Sequence, residues 1–304
     1  MVARGETAGG GDRTAVQERS RDLSVLLDIL DLRQTGEDTF VGRHPAEVGS
    51  RTFGGQLIGQ ALVAAGRTVD GRRPVHAINA HFIRGGDVKR DIEYRVDRHR
   101  DGRAFANRQV TALQDDDELF VMLAAFQDSR GGLEHSVSVP EVAYPEELPP
   151  LGNHFDGYED RLQMFVEALK PIDMRYANDP AWVMKGTGER LNHNRVWMKA
   201  DGPLPEDPTL HVATLGYASD TTVLDSIITT HGLSWGFDRI VAATVNHSIW
   251  FHRPFVFDDW LLYATESPVA AGSRGLATGR FFSRNGDLVA TVVQEGLIRH
   301  FPSR

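Results

Sequence analysis

The feature that most constrains this chain is that it runs through the same order of elements twice. In the first half, Phe53-Gly54-Gly55-Gln56-Leu57-Ile58-Gly59-Gln60-Ala61-Leu62 leads into a helix through about Val69. Strands follow at Val75 to Arg84, Ile92 to Arg98, Ala104 to Leu113 and Leu119 to Gln127, with a turn at Asp101-Gly102. In the second half a helix is predicted between Asp207 and Gly232. Strands are predicted at Ile240 to Phe255, Trp260 to Thr265, Gly275 to Phe282 and Leu288 to Arg299, with a turn at Asn285-Gly286. His81-Phe82-Ile83-Arg84 is like Trp250-Phe251-His252-Arg253, and Leu123-Ala124-Ala125-Phe126-Gln127 is like Ala290-Thr291-Val292-Val293-Gln294. A repeat of about 170 residues is too long for a solenoid and points to two copies of one domain. One helix followed by a run of antiparallel strands makes each copy an α+β unit, with the helix on one face of a curved sheet.

The segments between the copies differ in character. Residues 1–18 lack apolar periodicity and read as a disordered tail. A short amphipathic helix is expected at Leu23 to Leu32, and a first strand at Thr39 to His44. We expect a first domain over 19–128. Residues 129–170 hold Gly131-Gly132, Pro140, Pro145 and Pro149-Pro150 and read as a linker, with a helix at Tyr158 to Leu169. The second domain spans 171–304, with further strands at Ile172 to Arg175 and Arg195 to Lys199. Glycines inside a helix cost about 1 kcal/mol each relative to alanine. Gly54, Gly55 and Gly59 therefore call for a close neighbour, and packing on the sheet is the first expectation.

Composition removes several function classes. A net charge of −9 argues against a nucleic-acid surface. With no cysteine there is no disulfide, thiol nucleophile or cysteine-held metal, which fits a reducing compartment and a cytoplasmic protein. No apolar run reaches the roughly 18–20 residues of a membrane span, and no secretory signal is visible at the N-terminus. There is no Gly-x-Ser-x-Gly elbow and no glycine loop before a lysine. The histidines, His193, His247 and His252, have no metal-site spacing, and His247 reads as a core histidine on the strand face opposite Thr244. No cofactor and no metal is expected.

One polar residue stands where an apolar one belongs. In the stretch Asp207 to Gly232, Asp207-Pro208 reads as an N-cap with a first-turn proline, and Gly232 as the left-handed residue past the helix end. The stripe Val212, Gly216, Val223, Leu224, Ile227 carries Asp220. A buried carboxylate must be paired, hydrogen-bonded or protonated. The plain alternative is an aspartate reaching solvent. Gln294 shares a strand face with Leu288, Ala290, Val292 and Ile298, all apolar. Thr244 is read on a mixed face with Ala242, Asn246, Ser248 and Trp250. Each of the three has an ordinary structural explanation. Together they allow a general base, Asp220, with Thr244 and Gln294 holding the water it activates. Backbone N–H groups in a glycine segment are suitable oxyanion donors.

Five motifs, taken together, are specific: Phe53-Gly54-Gly55-Gln56 with Gly59-Gln60; Leu215-Gly216-Tyr217-Ala218-Ser219-Asp220; His247-Ser248 with Trp250-Phe251-His252-Arg253-Pro254-Phe255; Trp260-Leu261-Leu262-Tyr263; and Gln294-Glu295-Gly296. Over residues 23–300 or so the chain resembles the acyl-CoA thioesterase II (TesB-like) family of the hotdog superfamily. The resemblance implies a double hotdog, two α+β hotdog domains in tandem. Each would be a curved antiparallel sheet wrapped around a long helix. It also implies Asp220, Thr244 and Gln294 as catalytic residues, and fatty acyl-CoA hydrolysis by direct water attack without an acyl-enzyme. One departure is Asn246, where aspartate is expected before His-Ser; its side chain is read on the Thr244 face. Gln127 takes the place of Gln294 in the first copy, but no aspartate matches Asp220 there, so one active site per chain is expected. The exposed edges of hotdog sheets predict a homo-oligomer, dimer or tetramer. The alternatives are a hotdog enoyl-CoA hydratase or dehydratase, and a non-catalytic acyl-CoA-binding protein.

Overall fold

The computed structural model describes residues 23–44, 51–155, 157–158, 161–162 and 171–302. The tail expected over 1–18 and most of the helix expected at Tyr158 to Leu169 lie outside the described residues. The strands in chain order are β1 (Arg33–Gly36), β2 (Thr39–Gly42), β3 (Val75–Phe82), β4 (Ile92–Asp101), β5 (Phe105–Gln114) and β6 (Asp117–Gln127). The second half supplies β7 (Ile172–Tyr176), β8 (His193–Ala200), β9 (Ile240–Phe251), β10 (Leu261–Ala271), β11 (Arg274–Ser283) and β12 (Leu288–His300). Helix α1 covers residues 23–30, followed by α2 (Gly54–Gly66), α3 (Ala181–Thr187), α4 (Pro208–Ser219) and α5 (Asp225–Thr230).

Among the described residues, twelve strands form one sheet in the order β1-β2-β4-β5-β6-β3-β9-β12-β11-β10-β8-β7. Every neighbouring pair is antiparallel. The order reads the same from both ends once β3 is matched to β9, β6 to β12, and so on outward. The halves join where β3 meets β9. There Asn79 pairs with Ser248, and Asn79 Nδ2 donates to Ser248 Oγ at 2.9 Å.

The duplication extends to a shared irregularity. In β3 the pairing with β6 jumps from Val75↔Phe126 to Ala77↔Ala125. In β9 the pairing with β12 jumps from Thr244↔Gly296 to Asn246↔Glu295. Each half thus carries a bulge at the same place in its central strand, His76 in the first and Val245 in the second. The register makes Ile78 the counterpart of His247, and Ala124, the partner of Ile78, the counterpart of Gln294. Ala124, not Gln127, therefore stands in the place of Gln294. The likeness of Leu123–Gln127 to Ala290–Gln294 is out of register by three residues.

The sheet wraps two antiparallel helices, α2 and α4. Every residue of α2 from Gly55 to Ala65 is buried, because the helix has sheet on one side and α4 on the other. Its glycines are spaced for the helix rather than the sheet. A Cβ on Gly55 would lie 2.3 Å from the Tyr217 carbonyl oxygen, and one on Gly59 would lie 3.1 Å from that of Ala213. From α4, Gly216 answers, with Leu62 Cδ1 2.6 Å from a Cβ placed there. Close helix–helix approach, not sheet packing, is what these glycines permit.

Residues 139–148 of the linker lie on the second half. Val139, Val142 and Leu148 cover Trp197, Leu262, Ala264 and Phe282, on the sheet face away from the helices. Trp197 Nε1 donates to the Ala143 carbonyl at 2.9 Å. Two elements escape the sequence patterns. All four residues of β1, Arg-Gln-Thr-Gly, are exposed, so this edge strand has no alternation to read. Helix α3 has only 7 residues.

Candidate active site

The expected single helix from Asp207 to Gly232 is two helices separated by residues 220–224, and Asp220 begins the break. Its start is as read: the Asp207 carboxylate accepts from Thr209 N–H at 2.8 Å, and Pro208 is the first helical residue. Its far end is also as read, with Gly232 at φ +66. Between them, α4 stops at Ser219 and Asp220 is its C-cap. Side chains here compete for backbone groups: Ser219 Oγ donates to the Gly216 carbonyl at 2.8 Å, and Thr221 Oγ1 to that of Ala218 at 2.6 Å. At a helix end, Asp220 is free to turn across to α2. There the α2 N-terminus has no side-chain cap of its own. The Gly55 N–H donates to Asp220, and a Cβ on Gly54 would stand 2.5 Å from Asp220 Oδ2. One half of the chain thus supplies the carboxylate, and the other the positive end of a helix dipole.

Thr244 and Gln294 complete a contiguous set. Thr244 Oγ1 donates to Asp220 Oδ1 at 3.1 Å, and Gln294 Nε2 donates to Thr244 Oγ1 at 3.1 Å. Gln294 is fully buried, as its apolar strand face implied. The reading of β9 by strict alternation is corrected by the bulge at Val245. It puts Thr244 opposite Gly296, on the inner face with His247 and Gln294. Asn246 consequently faces outward, away from Thr244, and its Nδ2 donates to Glu295 Oε2 at 3.3 Å. The departure at Asn246 therefore leaves the carboxylate's own surroundings untouched.

Burial pushes the Asp220 carboxyl up to about 6. Hydrogen bonds from Gln294, Thr244 and the Gly55 N–H pull in the opposite direction and only partly offset it. Asp220 is thus a half-buried carboxylate, mostly ionised at neutral pH, and a suitable proton acceptor.

His247 and Ser219 belong to the same network, although strand parity sets His247 on the far face from Thr244. His247 Nδ1 bonds Gln294 Oε1, and His247 Nε2 lies 2.9 Å from Ser219 Oγ. Desolvation lowers the His247 pKa to about 4. The signal in the sequence was the adjacency of Ser219 to Asp220, but only the bulge register brings His247 to them.

The first half keeps the frame of this site and none of its chemistry. Val75 stands for Thr244 and Ala124 for Gln294, and the end of α2, Gly66-Arg67-Thr68, has no carboxylate. Arg108 pairs with Ala124 as Ala277 pairs with Gln294, and fills the space. It is 1% exposed. Its guanidinium donates to Thr68 Oγ1, the carbonyls of Thr68, Arg100 and Asn107, and Asp101 Oδ1. Among the described residues no group of three or more His, Cys, Asp or Glu could hold a metal ion.

Known proteins share this architecture. Residues 43–127 match the family model described as acyl-CoA thioesterase N-terminal domain, and residues 165–297 that described as acyl-CoA thioesterase. The chain is 36% identical to acyl-coenzyme A thioesterase 8 of Rattus norvegicus, over 98% of this chain and 96% of that protein. It is 34% identical to acyl-CoA thioesterase 2 of Haemophilus influenzae, over 91% and 98% respectively. The solved structure of the acyl-CoA thioesterase II TesB2 from Mycobacterium marinum superposes with a TM-score of 0.74 at 35% identity, covering 92% of this chain and 98% of that one. With its two hotdogs sharing one sheet, the chain belongs to the TesB-like acyl-CoA thioesterase II family of thioester hydrolases.

Proposed function

We propose that the protein hydrolyses fatty acyl-CoA to free fatty acid and CoA, with Asp220 as general base. The observation that carries this reading is the meeting of Asp220, Thr244 and Gln294 at the N-terminus of α2. A water held by these groups gives a proton to Asp220 as its oxygen bonds the thioester carbonyl carbon. The carbonyl oxygen becomes an oxyanion, for which the Gly54 N–H at the start of α2 is the first-turn donor not already given to Asp220 or to the Phe53 carbonyl. Collapse of the tetrahedral species breaks the C–S bond, and the proton on Asp220 goes to the departing CoA sulfur. No side chain is acylated in this sequence. General-base assistance of this kind is worth about 10²–10⁴-fold.

Hydration of an enoyl-CoA by an Asp–His pair is not supported, because His247 reaches Asp220 only through Gln294, which bonds it directly and by way of Thr244. A pure acyl-CoA binder has no need of a desolvated carboxylate. The exposed edge strand β1 supports association into a homo-oligomer, and the absence of cysteine supports a cytoplasmic setting. The test is release of free thiol from acyl-CoAs of increasing chain length. Catalytic thiol release is expected. Binding without release, or water addition to an enoyl-CoA without release, contradicts the reading.

A further inference from the structure

With Asp220 ionised and His247 neutral, the donors and acceptors around Gln294 allow one internally consistent arrangement. Thr244 has a single hydroxyl proton. If it serves Asp220 Oδ1 at 3.1 Å, the Gln294 group 3.1 Å from Thr244 Oγ1 must be the amide nitrogen. Turning the amide over would set its oxygen against a hydroxyl whose proton is already committed, and toward the Asp220 carboxylate. With nitrogen toward Thr244, the amide oxygen faces His247 Nδ1, so that nitrogen must carry hydrogen. A neutral imidazole with Nδ1–H has a bare Nε2, which lies 2.9 Å from Ser219 Oγ and can only accept. The histidine is fully buried, and desolvation keeps it neutral, so it has one hydrogen to place. The Ser219 proton also lies near the Gly216 carbonyl, 2.8 Å from Oγ, and is shared between the two acceptors. Ser219 is itself held in place through its carbonyl, which accepts from Tyr263 Oη at 2.9 Å.

We infer that His247 and Ser219 are positioning residues for the proposed water site, acting through a one-way hydrogen-bond chain, Ser219 to His247 to Gln294 to Thr244 to Asp220. The chain fixes which way the Gln294 amide faces, and through it the direction of the Thr244 hydroxyl. Neither His247 nor Ser219 touches the reacting atoms. The chain begins at the residue next to the carboxylate where it ends, so α4, β9 and β12 are tied into one rigid loop around the site. This inference rests on the proposed hydrolysis for its meaning, but its geometry can be tested separately. Histidine side chains more often carry their neutral proton on Nε2, so the arrangement commits His247 to the less common tautomer.

Two measurements test it. The first is the ¹⁵N shift pattern of His247 in the wild-type protein labelled at histidine, assigned by the signal lost in His247→Asn. The expected result is a neutral ring with the proton on Nδ1; a proton on Nε2 overturns the inference. The second is steady-state thioester hydrolysis by two variants. His247→Leu keeps bulk but has no donor. It is expected to lower kcat about 10- to 100-fold, at or below the lower end of what general-base assistance supplies because the base itself is retained, with KM changed less than about 2-fold. His247→Asn offers an amide N–H in the place of Nδ1–H and is expected to recover most of the loss. A Leu variant with wild-type kcat, or an Asn variant as slow as Leu, overturns the positioning role. If His247→Leu does not fold, the tautomer alone decides. If the wild-type protein hydrolyses no acyl-CoA, the proposed function fails while the tautomer still decides the chain.

Discussion

Asp220 Oδ2 occupies the space that a side chain on Gly54 would need: a Cβ there would lie 2.5 Å from the carboxylate oxygen. The two residues are far apart in sequence and come from different hotdogs, yet each explains the other. Gly54 leaves room for an acceptor at the start of α2, and Asp220 caps a helix whose own N-cap residue, Phe53, offers no side-chain bond.

This contact separates activity from stability. Alanine at the first position of a helix is favoured over glycine by up to about 1 kcal/mol. The atom it would strike is the end of a side chain, which can move, rather than backbone. Gly54→Ala is therefore expected to keep the melting temperature within a few degrees and to lower kcat at least about 10-fold by displacing Asp220. Parallel thermal melts and thiol-release assays check it. Unchanged kcat would show that the carboxylate does not work from this position.

The pH profile follows from the Asp220 carboxyl, raised to about 6 by burial. The active form is the carboxylate, so kcat is expected to rise with pH through about 6 and level off above 7. The linked stability contribution has the opposite sign. A folded pKa above the unfolded value favours the native state at low pH, and this contribution is lost as pH rises through about 6. A profile flat down to pH 4 would mean that Asp220 is not the base.

Asp225 is a buried carboxylate away from the site, with a stability readout only. It is 6% exposed, accepts from Trp235 Nε1 at 2.7 Å and is also bonded by Tyr176. Burial raises it to about 7 against these two neutral donors. Its contribution to stability is complete below about pH 4 and disappears as pH rises through 7. Asp225→Asn keeps an acceptor for Trp235 and removes the buried charge. It is expected to stabilise the protein at pH 8 by on the order of a few kcal/mol, since each tenfold change in proton affinity on folding corresponds to about 1.4 kcal/mol. The gain should shrink toward pH 4. Denaturant unfolding across that range measures it, and a gain independent of pH would contradict the assignment.

Much of the architecture is legible in the residues because helix and strand periods are local. The order of elements, the duplication, the Asp207 cap and the left-handed Gly232 all follow from short patterns. What is not legible depends on register between distant strands. Alternation along Ile240–Phe251 puts Thr244 and His247 on opposite faces; one inserted residue, Val245, puts them on the same face. The same shift sends Asn246 outward and makes Ala124 rather than Gln127 the counterpart of Gln294. Asp220 was visible as a polar residue on an apolar stripe. That it ends the helix depends on hydroxyl bonds from Ser219 and Thr221 to the backbone, which compete with helix propagation. Arg108 gave no signal at all. Its burial makes sense only once Val75 and Ala124 are seen to leave a space that its five donors can fill.

The most direct measurement is acyl-CoA turnover by Asp220→Asn. Asparagine keeps an acceptor for Thr244 Oγ1 and nearly the same volume, and it removes a carboxylate whose ionisation burial opposes, so at neutral pH the variant should be at least as stable as wild type. It cannot take a proton from water, and thiol release is expected to fall about 10²–10⁴-fold, the range that general-base assistance supplies. A folded Asp220→Asn protein that releases thiol at the wild-type rate would contradict the account.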